Sequence, residues 1–133
     1  MPVNEVATAV GLSQTPCWRR IKRMKDAGVI MSTVALVDRH TLGLDFVAYA
    51  FVKLALPNRT NMDRFDRLVA RWPEVTFCER ITGAVDYLLK IVAADITDYD
   101  TFLREKLLDS DLVSDVQSRI VVATVKETTA LPI

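Results

Sequence analysis

The sequence predicts an α+β protein: a short, basic helix-turn-helix at the N-terminus, then a larger body in the order β-α-β-β-α-β. Three observations predict it. Helical apolar spacing, broken by a glycine and restarted by a serine, occupies residues 3–28; strand-like and helix-like stretches then alternate between proline and glycine stops; and charge is divided between the two parts. Residues 1–37 carry a net charge of +3 and residues 38–133 a net charge of −3, with all five basic residues of the first part between Arg19 and Lys25. A basic end on an acidic body is what a nucleic-acid-binding segment attached to another function looks like, although a charge run more often does no more than solvate a helix face.

In the first part, Val3, Val6, Ala7 and Val10 share one helical face at i, i+3, i+4, i+7 spacing. Gly11 stops this helix, because glycine accepts the left-handed backbone that closes one, and Leu12 is placed to plug between two helices. Ser13 stands where an N-cap belongs, its hydroxyl able to accept a free backbone N–H one turn on. The second helix is expected over Gln14–Ala27, with Pro16 in the first turn, where its missing N–H costs nothing. Cys17, Ile21, Met24 and Gly28 form one stripe, taken as the inward face, and Cys17 reads as a small buried hydrophobe. At about 100° per residue, Thr15, Arg19, Lys22, Arg23 and Asp26 point the other way. Helix, glycine turn and capped basic helix is the arrangement that lays a second helix in the DNA major groove. Gln14, Thr15, Trp18 and Arg19 would then lie nearest the base edges, with Arg20, Lys22 and Arg23 on or near phosphates. Trp18 is open to two readings, a partly exposed contact or a wedge against the first helix. Gly28-Val29-Ile30 returns the chain to extended structure.

Met31–Val37 is apolar and β-branched enough for a strand, and Asp38 to Gly43 reads as a linker. Residues 1–30 are thus assigned to a helix-turn-helix, 31–45 to a connecting strand and linker, and 46–133 to the second domain. Phe46–Leu56 is a long strand closed by Pro57-Asn58. Thr60, with Asp63 three residues on, marks a helix start, and Met62, Phe65, Leu68, Val69 and Trp72 make its apolar stripe before Pro73 stops it. Val75–Thr82 and Asp86–Ala93 are strands around a turn at Gly83-Ala84. Thr97 is expected to cap the second helix, Asp98 and Asp100 favouring its positive end, with Tyr99, Phe102, Leu103 and Leu107 as its stripe. The last strand runs from Val113 to Val125. This order is that of the ferredoxin-like fold, an antiparallel sheet with two helices on one face. In Phe46–Leu56 both alternating sets are largely apolar, Phe46, Ala48, Ala50, Val52 and Leu54 against Val47, Tyr49, Phe51 and Ala55. One helix layer covers one face only. The other is expected to meet a second copy of the chain or, as the alternative, to be shielded by the N-terminal segment.

A chain of 133 residues can bury roughly two-thirds of its unfolded surface without staples. It is 50% hydrophobic and 26% charged, which excludes a disordered or collagen-like class. Lysine plus arginine and aspartate plus glutamate balance at 17 each, so the overall charge names no partner. Cys17 and Cys78 suit neither a disulfide framework nor a zinc site and fit a reducing compartment. No basic-then-apolar leader opens the chain, and the run Phe46–Leu56 is broken by Lys53 and too short for a bilayer; a cytoplasmic protein without a membrane partner is expected. His40, the only histidine, sits in the linker without the neighbours a triad requires. No glycine-rich phosphate loop, His-Glu-x-x-His or spaced metal ligands occur, so no enzyme, cofactor or metal is expected. Asn58-Arg59-Thr60 spells a glycosylation sequon, without meaning in a cytoplasmic protein.

The stretch Val10-Gly11-Leu12-Ser13-Gln14-Thr15-Pro16-Cys17, leading into Arg20-Ile21-Lys22-Arg23-Met24, is followed by Gly28-Val29-Ile30. Then come Thr82-Gly83-Ala84-Val85-Asp86-Tyr87-Leu88-Leu89-Lys90 and Ile120-Val121-Val122. In order and spacing these resemble the leucine-responsive regulatory protein (Lrp/AsnC, "feast/famine") family of bacterial and archaeal transcription regulators, over essentially the whole chain. The helix-turn-helix pattern alone is moderately specific; joined to Gly-x-x-Asp-Tyr and the β-α-β-β-α-β body, it outweighs the solvating reading of the basic run. The resemblance implies a winged helix-turn-helix joined by a short strand to an effector-binding, oligomerising domain. It implies dimers formed through the ferredoxin-like domain, further assembly to octameric discs, and small effectors, usually amino acids, bound between dimers. At the matching positions Gly83, Ala84, Val85 and Asp86 form the effector turn, glycine admitting close backbone approach to a ligand and Asp86 meeting an ammonium group. Ser118 matches a position where members often carry threonine, a hydroxyl suited to an effector. The plainer readings are a hairpin glycine at Gly83 and, at Asp86, a carboxylate tying the turn's own N–H groups.

The family's DNA-binding domain has three helices, the first of which normally precedes the point where this sequence starts, and two short helices bury too little to hold one another. Three expectations follow: a start codon placed downstream of the true one, a real truncation covered by another segment or a symmetry mate, or loss of DNA binding. The function expected is a transcription regulator that binds double-stranded DNA as an oligomer and responds to a small effector, an amino acid. The alternative is a stand-alone effector-binding oligomer that has lost DNA binding.

Overall fold

A computed structural model describes residues 14–133, with side-chain surroundings from residue 16 onward. The chain divides into two compact units, Met1–Val37 and Asp38–Ile133. The expected helix over Val3–Val10, its Gly11 stop and the Ser13 cap lie outside the described residues.

In the first unit, helix α1 spans Gln14–Asp26. It closes at Gly28, whose φ of 79° is the left-handed geometry expected of a helix-ending glycine, and the Ile30 N–H returns to the Met24 carbonyl at 3.0 Å. Cys17 is buried, Ile21 half-buried and Met24 exposed, so the expected inward stripe opens toward the helix end. The strand expected at Met31–Val37 is not formed within this chain. These residues have the right propensity, but a strand needs a ladder partner, and among the described residues none pairs with them; Met31, Val34, Leu36 and Val37 are exposed.

The second unit opens with a turn that is more than a tether. Asp38 accepts the His40 N–H and the Thr41 hydroxyl, and the Arg39 guanidinium donates to the Leu44 carbonyl. Then follow β1 (Phe46–Leu54), α2 (Arg59–Val69), β2 (Val75–Arg80), β3 (Tyr87–Ala93), α3 (Ile96–Phe102) with a π-helical turn over Leu103–Leu107, and β4 (Val113–Ile120). The four strands form one antiparallel sheet in the order β2-β3-β1-β4, the ferredoxin-like arrangement expected from the element order. On the helix side Ala48, Ala50, Val52 and Leu54 of β1 and Tyr87, Leu89, Ile91 and Ala93 of β3 are buried under Phe65, Val69, Trp72, Tyr99, Phe102 and Leu107. Small alanines on the central strand leave room for that aromatic layer. Phe65 lies against Tyr87 with ring centroids 4.6 Å apart, and Trp72 meets Phe102 edge-on at 5.6 Å.

Several boundaries differ from expectation; β1 ends at Leu54 and not Leu56, β2 at Arg80 and not Thr82, β3 starts at Tyr87 and not Asp86, and α1 ends at Asp26 and not Ala27. Asn58, not Thr60, caps α2: its side chain accepts the Asn61 N–H at 2.8 Å, so the sequon asparagine has a structural task. Asp95, not Thr97, caps α3, accepting the Asp98 N–H at 2.8 Å. In both cases the chain bends into the helix two residues earlier than expected, and the first Asn or Asp it meets takes the cap. Finally, β4 ends at Ile120, opposite Ala48; the Val121 N–H still reaches the Val47 carbonyl, β1 starts opposite Val122, and beyond it no strand lies opposite, Val122 and Val125 being exposed. No helix among the described residues is long and apolar enough to cross a membrane.

The cap assignment is directly testable. Asn58→Ala should destabilise the protein by about 1 kcal/mol in urea unfolding of the full chain, while Thr60→Ala should stay within about 0.5 kcal/mol of wild type. The reverse order would return the cap to Thr60.

Candidate functional site

Two regions carry the candidate side chains, one in each unit. On α1, at about 100° per residue, Lys22, Arg19, Arg23 and Arg20 fall within an arc of about 160°, opposite Cys17 and Ile21. All four are exposed, and none takes part in the ion pairs formed among the described residues. Trp18 is 51% exposed, and the Lys22 ammonium lies 5.4 Å from its ring centre, one turn on; the helix against which it could act as a wedge lies outside the described residues. The side chains of Gln14 and Thr15 lie outside the described residues.

The second region is the β2–β3 turn. Gly83 has φ of 113°, which a side chain would strain, and Thr82, Gly83 and Ala84 are exposed while Val85 is half-buried. The turn is closed by the Ile81 N–H to the Asp86 carbonyl at 3.0 Å. Asp86 then joins it to the central strand: its N–H donates to the Val52 carbonyl at 2.9 Å, and its Oδ2 accepts the Leu54 N–H at 2.8 Å. The β1–β3 ladder ends at Val52 and Tyr87, so the next N–H of β1 on that side has no strand to meet, and the carboxylate supplies the missing acceptor. The sequence suggested either an effector contact or a tie to the turn's own N–H groups. Within the chain the carboxylate bonds not to the turn's own N–H groups but to a strand 32 residues away, and Oδ1 is left without a hydrogen bond among the described residues.

Ser118 is not part of this cluster. It pairs with Ala50 on the far side of β1, two strand spacings or roughly 10 Å from Leu89 of β3, and the turn lies three residues further along that strand. Its Oγ lies 2.5 Å from the Tyr99 hydroxyl, whose pKa is held above the ordinary tyrosine value chiefly by burial, with the serine bond opposing. His40 stands apart as well, exposed, with Nδ1 2.8 Å from Asp45.

Three residues that sequence reasoning missed hold the turn from outside. The Tyr87 hydroxyl donates to Asp66 Oδ1 at 2.7 Å, Arg80 pairs with Asp66 Oδ2, and Arg80 Nε lies 3.3 Å from the Tyr87 oxygen. Burial, and then the hydrogen bond to Asp66, pushes the Tyr87 hydroxyl up to about 12, so it remains a donor throughout the neutral range. Burial likewise pushes the neighbouring Cys78 thiol up to about 11. Tyr87 was visible as the residue after Asp86, but no spacing in the sequence links either to Asp66.

A family profile described as the Lrp/AsnC ligand binding domain matches residues 47–131, and one described as a winged helix-turn-helix DNA-binding domain matches residues 1–31. The chain is similar to the DNA-binding transcriptional activator DecR of Escherichia coli (strain K12), 35% identical over 133 residues that cover 100% of this chain and 88% of that protein. It is 39% identical over 128 residues to the proline dehydrogenase transcriptional activator of Rhizobium radiobacter, covering 96% and 82%. Among solved structures, a transcriptional regulator from Neisseria meningitidis in complex with L-Met superposes with a TM-score of 0.91 at 33% identity, over 99% of this chain and 85% of that one. An AsnC family regulator from Agrobacterium tumefaciens gives a TM-score of 0.90 at 37% identity, over 99% and 86%.

Alkaline titration tests the Tyr87 bond. Folding raises this pKa, so the folded state keeps the proton longer than the unfolded chain does; the contribution is complete below about pH 10 and is lost as pH rises toward about 12. In a Cys78→Ser background, which removes the thiol titrating nearby, Tyr87→Phe should flatten the fall in stability between pH 10 and 11. An equal fall in both proteins would mean that the buried bond is not formed.

Proposed function

The chain belongs to the Lrp/AsnC family of transcription regulators, and on that premise we propose that it binds double-stranded DNA through α1 and responds to an amino acid received at the Gly83–Asp86 turn. The observation that carries the DNA reading is the exposed basic arc of α1, within residues matched by the winged helix-turn-helix profile. Arg20, Lys22 and Arg23 serve phosphates, which position a helix without reading sequence; Gln14, Thr15, Trp18 and Arg19 lie toward the bases. The alternative, an effector-binding oligomer without DNA binding, has no comparable support. The reading is also of a binding protein and not of an enzyme, in line with relatives named as regulators.

For the effector, support comes from the Neisseria meningitidis regulator in complex with L-Met, similar over 99% of this chain. The chemistry fits an amino acid's shared backbone end: the exposed turn at Gly83 can approach a carboxylate with its N–H groups, and Asp86 Oδ1 has capacity for an ammonium group. Ser118 lies too far from the turn within one chain to share a small ligand with it. A site using both draws them from different copies, which suits an effector bound between dimers. The open sheet face supplies the dimer contact: Tyr49, Phe51, Leu88 and Val92 are half-buried in the single chain, although the helices cover only the opposite side. Further assembly, to an octamer, belongs to the same proposal.

Two measurements test these readings. Lys22→Ala and Arg23→Ala should each weaken binding to all DNA sequences and reduce the slope of log affinity against log salt by about one unit per lost phosphate contact. An unchanged slope would remove the phosphate role. For the sheet face, Phe51→Glu should convert the dimer to a folded monomer in light scattering with circular dichroism. An unchanged mass would place the interface elsewhere.

A further inference from the structure

The exposed part of the β2–β3 turn has little to position it. Thr82, Gly83 and Ala84 make no packing contact that buries them, so the geometry of Gly83 is inherited from the residues at its two roots. The inner root is Asp86, bonded to β1 in the middle of the sheet. The outer root is Arg80, the last residue of β2, and β2 is an edge strand with β3 on one side only and an irregular register between Val75 and Phe77. What holds this outer arm from the helix-covered face of the sheet is α2. The Asp66 carboxylate accepts the Tyr87 hydroxyl on one oxygen and the Arg80 guanidinium on the other, so a single side chain grips the residues flanking the turn on both strands. α2 is in turn fixed by the Asn58 cap and by buried Phe65 and Val69.

We propose that Asp66 is a positioning residue for the effector turn: through Arg80 and Tyr87 it holds the turn backbone in the geometry that receives an amino acid. The proposal rests on the reading of Gly83–Asp86 as the receiving turn. Asp66 touches no ligand itself; it acts through its two partners. The side chains of Asp66 and Arg80 are 42% and 49% exposed, and an ion pair so open to water adds little to overall stability. Its loss is therefore expected in the local order of the turn, not in the unfolding midpoint. A merely structural role predicts the opposite pattern.

The test uses the full chain carrying Asp66→Asn, which retains an oxygen for the Tyr87 hydroxyl and leaves Arg80 only its longer, 3.8 Å pairing with Asp63 on the same helix, with Asp66→Glu as the conservative partner. Amide hydrogen exchange reads the bonded N–H groups of Leu54, Ile81 and Asp86 against those of Ala50 and Leu89 in the sheet centre. Asp66→Asn should speed exchange at the first three by about tenfold, leave the last two unchanged, and weaken the tightest-binding of the twenty L-amino acids by about five- to tenfold in calorimetry. Asp66→Glu should recover most of both effects. Unchanged exchange at the turn, or faster exchange with unchanged affinity, would overturn the proposal. If no amino acid binds wild type while Asp66→Asn still loosens the turn, the effector reading has failed, and the positioning role for a ligand fails with it.

Discussion

The central strand β1 has two apolar faces and only one helix layer to cover them, and most of the second unit follows from that imbalance. On the covered face Ala48 and Ala50 keep the strand thin, so that Phe65, Trp72, Tyr99 and Phe102 fill the space above it at ordinary aromatic contact distances. On the uncovered face Tyr49 and Phe51 sit beside Leu88 and Val92 of β3, a surface too apolar to leave facing water across several strands. Part of this face is met by the chain beyond β4, which buries Val47 and brings Glu127 to within 3.3 Å of the Lys90 ammonium. The rest is the surface through which we propose that two copies meet.

The same strand organises the turn. A hairpin between an edge strand and its neighbour would ordinarily be one of the looser parts of such a sheet, because exposed tips are ordered only through their roots. Here Asp86 extends the β1 ladder by one side-chain bond, and Asp66 grips the outer arm from α2. The turn is thus bound to the centre of the sheet and to the helix layer at once. A ligand that altered its conformation would have two rigid elements to work against, which is the mechanical condition for an effector to influence more than its own contacts.

Much of this was legible in the sequence, and the reasons differ by level. Element order and the helix stripes could be read because Met62, Phe65, Leu68, Val69 and Trp72, and likewise Tyr99, Phe102 and Leu107, follow a period imposed by local geometry. The two caps were each placed two residues late, since several Asn, Asp and Thr residues stand in a row and all can cap; which one does depends on where the chain leaves the preceding strand or turn. Met31–Val37 has strand propensity without a strand, because pairing is a property of two segments and the sequence shows only one. In the site, Gly83 was legible as a hairpin glycine, and its φ of 113° bears out a turn that favours one. The bonds of Asp86 to Leu54 and of Asp66 to Tyr87 and Arg80 were not, being contacts across 32, 21 and 14 residues that no local pattern encodes.

These long-range bonds also change what the Gly-x-x-Asp-Tyr pattern means. Read as a string, it looks like a ligand-binding motif in which each named residue touches the ligand. In the fold, Asp86 gives one carboxylate oxygen to β1, and Tyr87 is buried with its hydroxyl on Asp66, so both are first the means by which the turn is built. On the proposed reading, recognition through such a turn falls mainly to backbone N–H groups around Gly83 and to the remaining oxygen of Asp86. Those groups suit the carboxylate and ammonium that every amino acid shares, so they give affinity without choosing among side chains. On the proposed reading, the choice must come from residues beyond the turn, and because Ser118 is held on the far side of β1, the second wall of the site is supplied by another copy of the chain. Effector identity and assembly would then be set by the same surfaces, and a change in one would be felt in the other.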